Sequence, residues 1–141
     1  MSYRADWVTN LGKCILIVDD YDQVRKGIRN FFEASTEQYI CHEATDGMDA
    51  IEKADGCKPD LIVLDLSMPR MNGIEAAPRL KKMFPGTPIV LLTSHNAALG
   101  NFDVSAVGID AVVGKGGDMT ELSHHVKSLL ERGAALNMPP M

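Results

Sequence analysis

Apolar residues fall along this chain in short unbroken blocks rather than in strict alternation. CILIV at 14–18, LIVLD at 61–65 and IVLLT at 89–93 each read as a strand covered on both faces. Tyr39 to Ala44 reads as another strand and Ala111 to Gly114 as a short last one. Between the blocks the period lengthens. Val24, Ile28, Phe31 and Phe32 recur at helical spacing and predict a helix over 22–34. Met48, Ile51 and Ala54 predict a short helix behind the Asp46-Gly47 turn. Asn72-Gly73 opens a helix carrying Ile74, Ala77, Leu80 and Phe84, which Pro85-Gly86 ends. Pro78 inside it is expected to bend the helix or loosen its start. Residues 97–107 predict a weaker helix interrupted by Gly100, and Leu122, Val126, Leu129 and Leu130 mark the last one.

Strand and helix therefore alternate, five times over, and continuous apolar strands alternating with helices predict an α/β protein. Right-handed crossovers wind such a chain into a parallel sheet with helices on both faces. In that architecture the ligand crevice lies beyond the carboxyl ends of the strands.

Composition adds bounds. The 141 residues suit one domain, and 45% hydrophobic with 23% charged residues is ordinary for a globular chain. Residues 1–12 read as an N-terminal extension carrying Trp7, 13–132 as the domain, and 133–141 as a patternless tail or linker stub. A net charge of −5 argues against direct grip on a nucleic-acid backbone. Cys14, Cys41 and Cys57 form no metal-binding spacing and read as small core residues in a reducing compartment. With neither a membrane span nor a signal-peptide core in the sequence, the expected location is the cytoplasm.

The strand ends carry the chemistry. Strand one runs into Asp19-Asp20, strand three ends on Asp65, strand four on Thr93-Ser94, and strand five runs into Lys115. A parallel sheet brings all of these to one edge. Three crowded carboxylates repel each other, and a hard divalent cation such as Mg²⁺ relieves the repulsion. With Lys115 and the Thr93 hydroxyl, the crevice suits a phosphoryl group. Asp65 follows four apolar residues and is placed as the nucleophile, giving an aspartyl phosphate.

ILIVDDYDQVRKGI, LIVLDLSMPRMNGIEA, IVLLTS and GIDAVVGK resemble the receiver domain of bacterial two-component response regulators, over residues 13 to 132. The wording of VRKGIR and MPRMNGIEA is most similar to receivers that precede a helix-turn-helix domain, which this sequence does not contain. The resemblance implies a (βα)5 flavodoxin-like fold with strand order 2-1-3-4-5. It implies that Asp65 takes a phosphoryl group from the phosphohistidine of a histidine kinase or phosphotransfer protein. It also implies Mg²⁺ on Asp20, Asp65 and the Ser67 backbone carbonyl, with Asp19 helping through water. Lys115 would pair with the acceptor, Thr93 would shift toward the phosphoryl group, and Met68-Pro69 would shape the adjoining loop. Ser67 and His95 would tune the lifetime of the modified state. The module would phosphorylate and dephosphorylate only itself, and the 97–131 face would switch to engage a downstream protein or an effector domain, with a homodimer left open.

One position departs from the family pattern. Many receivers carry an aromatic residue three positions before the lysine, and here that residue is Val112, short and stiff at χ1. Two other readings compete. A hydrolase built on an aspartyl phosphate usually has a second Asp two residues beyond the nucleophile, where this chain has Ser67. A receiver-like binding module that does not use phosphorylation is left open by Val112 and opposed by the intact acidic pair, acceptor, Thr93 and Lys115.

Overall fold

The computed structural model describes residues 12–94 and 102–136. The strands are β1 (Lys13–Val18), β2 (Tyr39–Ala44), β3 (Leu61–Asp65), β4 (Ile89–Thr93) and β5 (Ala111–Gly114). The α-helices are α1 (Asp22–Glu33), α2 (Gly47–Cys57), α3 (Gly73–Met83) and α4 (Thr120–Leu136). The strands form one parallel sheet in the order β2-β1-β3-β4-β5, as the resemblance implied.

Side chains alternate across each strand, so one continuous apolar run feeds two cores. Ile15, Ile17, Leu61, Val63, Val90 and Leu92 pack against Ile28 and Phe32 of α1 and Leu122, Val126 and Leu129 of α4. Leu16, Val18, Ile62, Leu64, Ile89 and Leu91 face the opposite way, onto α2 and α3. The crossovers thus place α1 and α4 on one face and α2 and α3 on the other.

The helix faces differ from the periodicity at two places. Phe31 was expected inside α1 but is 40% exposed, while Arg25 is buried. Arg25 lies on the stripe of Ile28 and Phe32, and its guanidinium is satisfied by the Asp19 carbonyl, Glu43 of β2 and Asp22. Met48, also expected inside, points out; Gly47, Ala50 and Ala54 form the buried face of α2. They meet an equally small face on α3, made by Gly73, Ala76 and Ala77, which lets the two helices approach closely.

The start of α3 is not loose. Asn72 accepts from the Glu75 amide at 2.9 Å while the Glu75 side chain accepts from the Asn72 amide at 3.0 Å, a complete capping box. The helix continues through Pro78 to Met83. The helix expected over 97–107 lies partly outside the described residues, and what is described is a single 3-10 turn, Val104–Val107. Asp103 starts it by accepting from the Ser105 amide, and Gly108 at φ 92° ends it.

Gly73 is a point of close approach. A Cβ there would sit 2.5 Å from the Asp65 carbonyl oxygen and 2.8 Å from Leu91 Cδ1. Gly73→Ala is expected to push α3 off the end of β3 and to destabilise the fold by about 1–3 kcal/mol in urea titration. An unchanged midpoint would mean that the α3 terminus is free to move.

Candidate acidic site at the strand ends

Parallel pairing brings Asp19, Asp20 and Asp65 together: one carboxylate oxygen from each lies within 4.8 Å of the others. Their environments differ sharply. Asp19 is 0% exposed and Asp65 2%, whereas Asp20 is open to solvent. Asp20 and Asp65, but not Asp19, line an open cleft of about 600 Å³ together with Ser67, Met68, Pro69 and Lys115.

Asp19 is fixed from every side. Its amide donates to the Ala44 carbonyl at 3.1 Å, and its own carbonyl accepts from Arg25 Nη1 at 2.7 Å. Its Oδ1 accepts from the Tyr21 amide at 2.8 Å, and its Oδ2 faces Lys115 Nζ at 2.9 Å. Lys115 Nζ also lies 3.2 Å from Asp65 Oδ1. Lys115 is positioned through its own backbone, since its amide donates to the Thr93 carbonyl at 2.8 Å.

Electrostatics single out Asp65. Burial and the neighbouring Asp19 charge push its carboxyl up to about 6, with Lys115 pulling the other way. Burial opposes the charge on Lys115, but the two carboxylates outweigh it and hold the lysine above its ordinary value. Asp65 Oδ2 is buried without a hydrogen-bond partner among the described residues. A buried carboxylate oxygen left in that state carries a desolvation cost, which Lys115 offsets only in part.

An oxygen-only donor set with an unpartnered carboxylate oxygen suits a hard divalent cation. The residues present therefore fit Mg²⁺: Asp20 is exposed, Asp65 Oδ2 lacks a partner, and the loop bearing the Ser67 carbonyl borders the same cleft.

The other sequence candidates are distributed as follows. Thr93 closes β4 and is 2% exposed, in register with Gly114. Val112 sits in β5 opposite Leu91, partly buried against the α2–α3 core. Ser67 lines the cleft, and His95 lies outside the described residues. His42 and His124 are exposed and His125 is half-buried, apart from the cleft-lining residues.

Two residues were missed. Arg25 donates to the Asp19 carbonyl, to Glu43 at 2.9 Å and to Asp22 at 2.8 Å. A charge on the apolar stripe of α1, three residues before Ile28, was the available signal. Tyr21 is 65% exposed, with its ring 5.8 Å from Lys115 Nζ; nothing in the sequence pattern marked it.

The cysteines stay out of this chemistry. Burial pushes Cys14 up to about 12, with Cys57 adding to the shift, and burial pushes Cys41 up to about 11. Protonated thiols are poor nucleophiles. Among the described residues no helix is long and apolar enough to cross a membrane.

A five-stranded parallel sheet in the 2-1-3-4-5 order, with an acidic cluster and a lysine at its carboxyl edge, is a doubly wound α/β fold with its polar crevice at the strand ends. The profile of the response regulator receiver domain matches residues 15–127. The response regulator protein VraR of Staphylococcus saprophyticus is 34% identical over 113 residues, covering 80% of this chain and 54% of that protein. The uncharacterized transcriptional regulatory protein YhcZ of Bacillus subtilis is 43% identical over 82 residues, covering 58% of this chain and 38% of that protein. The crystal structure of response regulator TrrA from Thermotoga maritima, in complex with Mg²⁺-BeF, superposes with a TM-score of 0.75 at 31% identity, covering 83% of this chain and 98% of that one. The chain belongs to the response regulator receiver domain family. It is a signalling module of the two-component type, and it spans about half or less of the length of these two curated relatives.

Proposed function

We propose that Asp65 is the phosphoacceptor, taking its phosphoryl group from the phosphohistidine of a histidine kinase or phosphotransfer protein. A carboxylate oxygen of Asp65 attacks phosphorus, the new O–P bond forms as the P–N bond to the imidazole breaks, and the leaving nitrogen takes a proton. The observation that carries this is the buried, partly unpartnered Asp65 carboxylate held between Lys115 and the acidic pair.

Asp20, Asp65 and the Ser67 carbonyl are the Mg²⁺ ligands in this reading, with Asp19 acting through water. Bound there, the ion neutralises the carboxylates and the charge that builds on the phosphoryl oxygens. Lys115 contributes the second positive charge, and Thr93 supplies the hydroxyl that follows the phosphoryl group. That TrrA was crystallised with Mg²⁺-BeF supports the cofactor. Ser67 and His95 tune phosphoryl lifetime. Val112 stands where many receivers carry an aromatic residue and has no ring to swing, so the 97–131 face switches without the usual threonine–aromatic coupling. The domain, residues 13–132 between an N-terminal extension and a tail, acts on itself and is not a turnover enzyme. Output passes from a cytoplasmic location to a downstream protein, an effector domain or a second copy, not directly to nucleic acid.

The reading is tested by intact-mass measurement after incubation with a small-molecule phosphodonor, with and without Mg²⁺, across pH. One added phosphoryl group is expected only with the metal. The attacking group is the carboxylate, whose metal-free value is about 6, so uptake is lost on the acid side as Asp65 takes its proton. Saturating Mg²⁺ favours the ionised form and moves that fall to lower pH. Uptake that ignores Mg²⁺ would rule the assignment out.

A further inference from the structure

Three non-glycine residues among those described have positive φ: Gln38, Lys58 and Arg70. Gln38 lies in the turn before β2, and Lys58 is the left-handed cap of α2. Arg70, at φ 65°, lies in the loop between β3 and α3, directly after the cleft-lining Pro69. A glycine would take that backbone conformation without strain, so an arginine there calls for a reason in its side chain.

The side chain supplies one. Arg70 Nε donates to Asp46 Oδ2 at 2.7 Å and Arg70 Nη2 to Asp46 Oδ1 at 3.0 Å, a two-pronged fork. The Arg70 fork, ahead of other contributions, holds the Asp46 carboxyl below its ordinary range. Asp46 is itself fixed: its side chain is 7% exposed and caps α2 by accepting from the Asp49 amide at 2.9 Å. A second tie runs beside the first, from the Gly47 amide to the Met71 carbonyl at 3.1 Å. Gly47 must be glycine for this approach, since a Cβ would stand 2.7 Å from the Met71 oxygen.

The loop is therefore anchored at its far end to the start of α2 and at its near end to β4, where the Leu66 amide donates to Leu92. Ser67, Met68 and Pro69 are suspended between those anchors. The fork is solvent-facing on its Arg70 side, 62% exposed, so its value as a fold-stabilising pair is limited. Its geometric consequence is larger: it fixes the cleft-lining loop whose Ser67 carbonyl is a ligand in the proposed cation site.

We propose that Arg70 is a positioning residue whose fork to Asp46 pre-sets the Ser67 carbonyl for the divalent cation. This rests on the proposed metal reading of the cleft. Outer partners of this kind typically change metal affinity by about 10–100-fold.

The test is direct Mg²⁺ titration of the unphosphorylated chain by calorimetry, with amide hydrogen exchange on the metal-free protein. Arg70→Gly accepts the left-handed backbone and deletes the fork; Arg70→Lys keeps the charge without the fork; Asp46→Asn keeps a capping oxygen without the ion pair. Arg70→Gly and Arg70→Lys are each expected to weaken Mg²⁺ binding about tenfold. The Met71 and Gly47 amides should exchange faster, and adding Asp46→Asn to Arg70→Gly should cost little more. Mg²⁺ affinities within twofold of wild type in both Arg70 variants would overturn the proposal, even if the melting temperature fell. Wild-type protein that binds no Mg²⁺, or Asp20→Asn that binds as well as wild type, would instead overturn the metal reading, and this inference with it.

Discussion

Asp65→Asn is expected to abolish phosphoryl uptake and, in the same experiment, to make the metal-free protein more stable at neutral pH. The first effect follows because the amide has no anionic oxygen to attack phosphorus. The second follows from burial. Asp65 is 2% exposed beside the fully buried Asp19, and its carboxyl is pushed up to about 6. A carboxyl whose folded value lies above its unfolded one binds its proton more tightly in the folded state. Its contribution is therefore most favourable at low pH and is lost as pH rises from the unfolded value near 4 through about 6. Above that window the ionised group costs the fold on the order of 2–3 kcal/mol, which the neutral amide avoids. Asn keeps the shape, and Lys115 keeps Asp19 as a partner. Urea titration in a chelator, with intact-mass detection of uptake, checks both halves. A variant that takes up a phosphoryl group, or one no more stable than wild type at pH 7.5, would contradict this account of Asp65.

Lys115→Ala is expected to slow uptake by about 100-fold or more while leaving Mg²⁺ binding intact or tighter. Lys115 Nζ reaches Asp19 at 2.9 Å and Asp65 at 3.2 Å, with a side chain 16% exposed, so solvent does little to replace it. Removing it strips the cation that faces the acceptor as charge moves onto the phosphoryl oxygens. It also removes a positive neighbour of the cation site, which by Coulomb's law favours the metal. The two effects therefore move in opposite directions. Stopped-flow or quenched labelling at saturating Mg²⁺ separates them from simple unfolding, which would lower both. If extra Mg²⁺ restored the wild-type rate, Lys115 would be a metal-site residue and not a partner of the reacting group.

Both expectations share a cause with the Arg70 inference. The site is assembled at the ends of four strands, β1, β3, β4 and β5, and three contacts hold its parts in place. Arg25 locks the Asp19 carbonyl, Thr93 locks the Lys115 amide, and Asp46 locks the loop after the acceptor. Asp65 Oδ2 is left without a hydrogen-bond partner among the described residues.

Much of this was readable from order along the chain. Continuous apolar runs announced doubly covered strands because burial on both faces removes any need for alternation. Strand ends announced the site because parallel strands must end at one edge, so Asp19, Asp20, Asp65, Thr93 and Lys115 could be grouped with no coordinates. Helix faces were less legible. Phe31 and Met48 fit the apolar period yet point outward, since Arg25 and the small residues of α2 better matched what lay opposite them. The expected helix over 97–107 shrank, in its described part, to one 3-10 turn because Asp103 and Gly108 bracket so short a segment.

What the sequence by itself determined is the succession of elements, the sheet they build and the chemical types at its carboxyl edge, all of which depend on periodicity and strand direction. Tertiary structure alone decided which carboxylates are buried, which oxygen lacks a partner, and that Arg25 and Arg70 reach across the fold to Asp19 and Asp46. Those are properties of side chains that meet from distant segments, where charge and solvation are set by neighbours the chain order does not name.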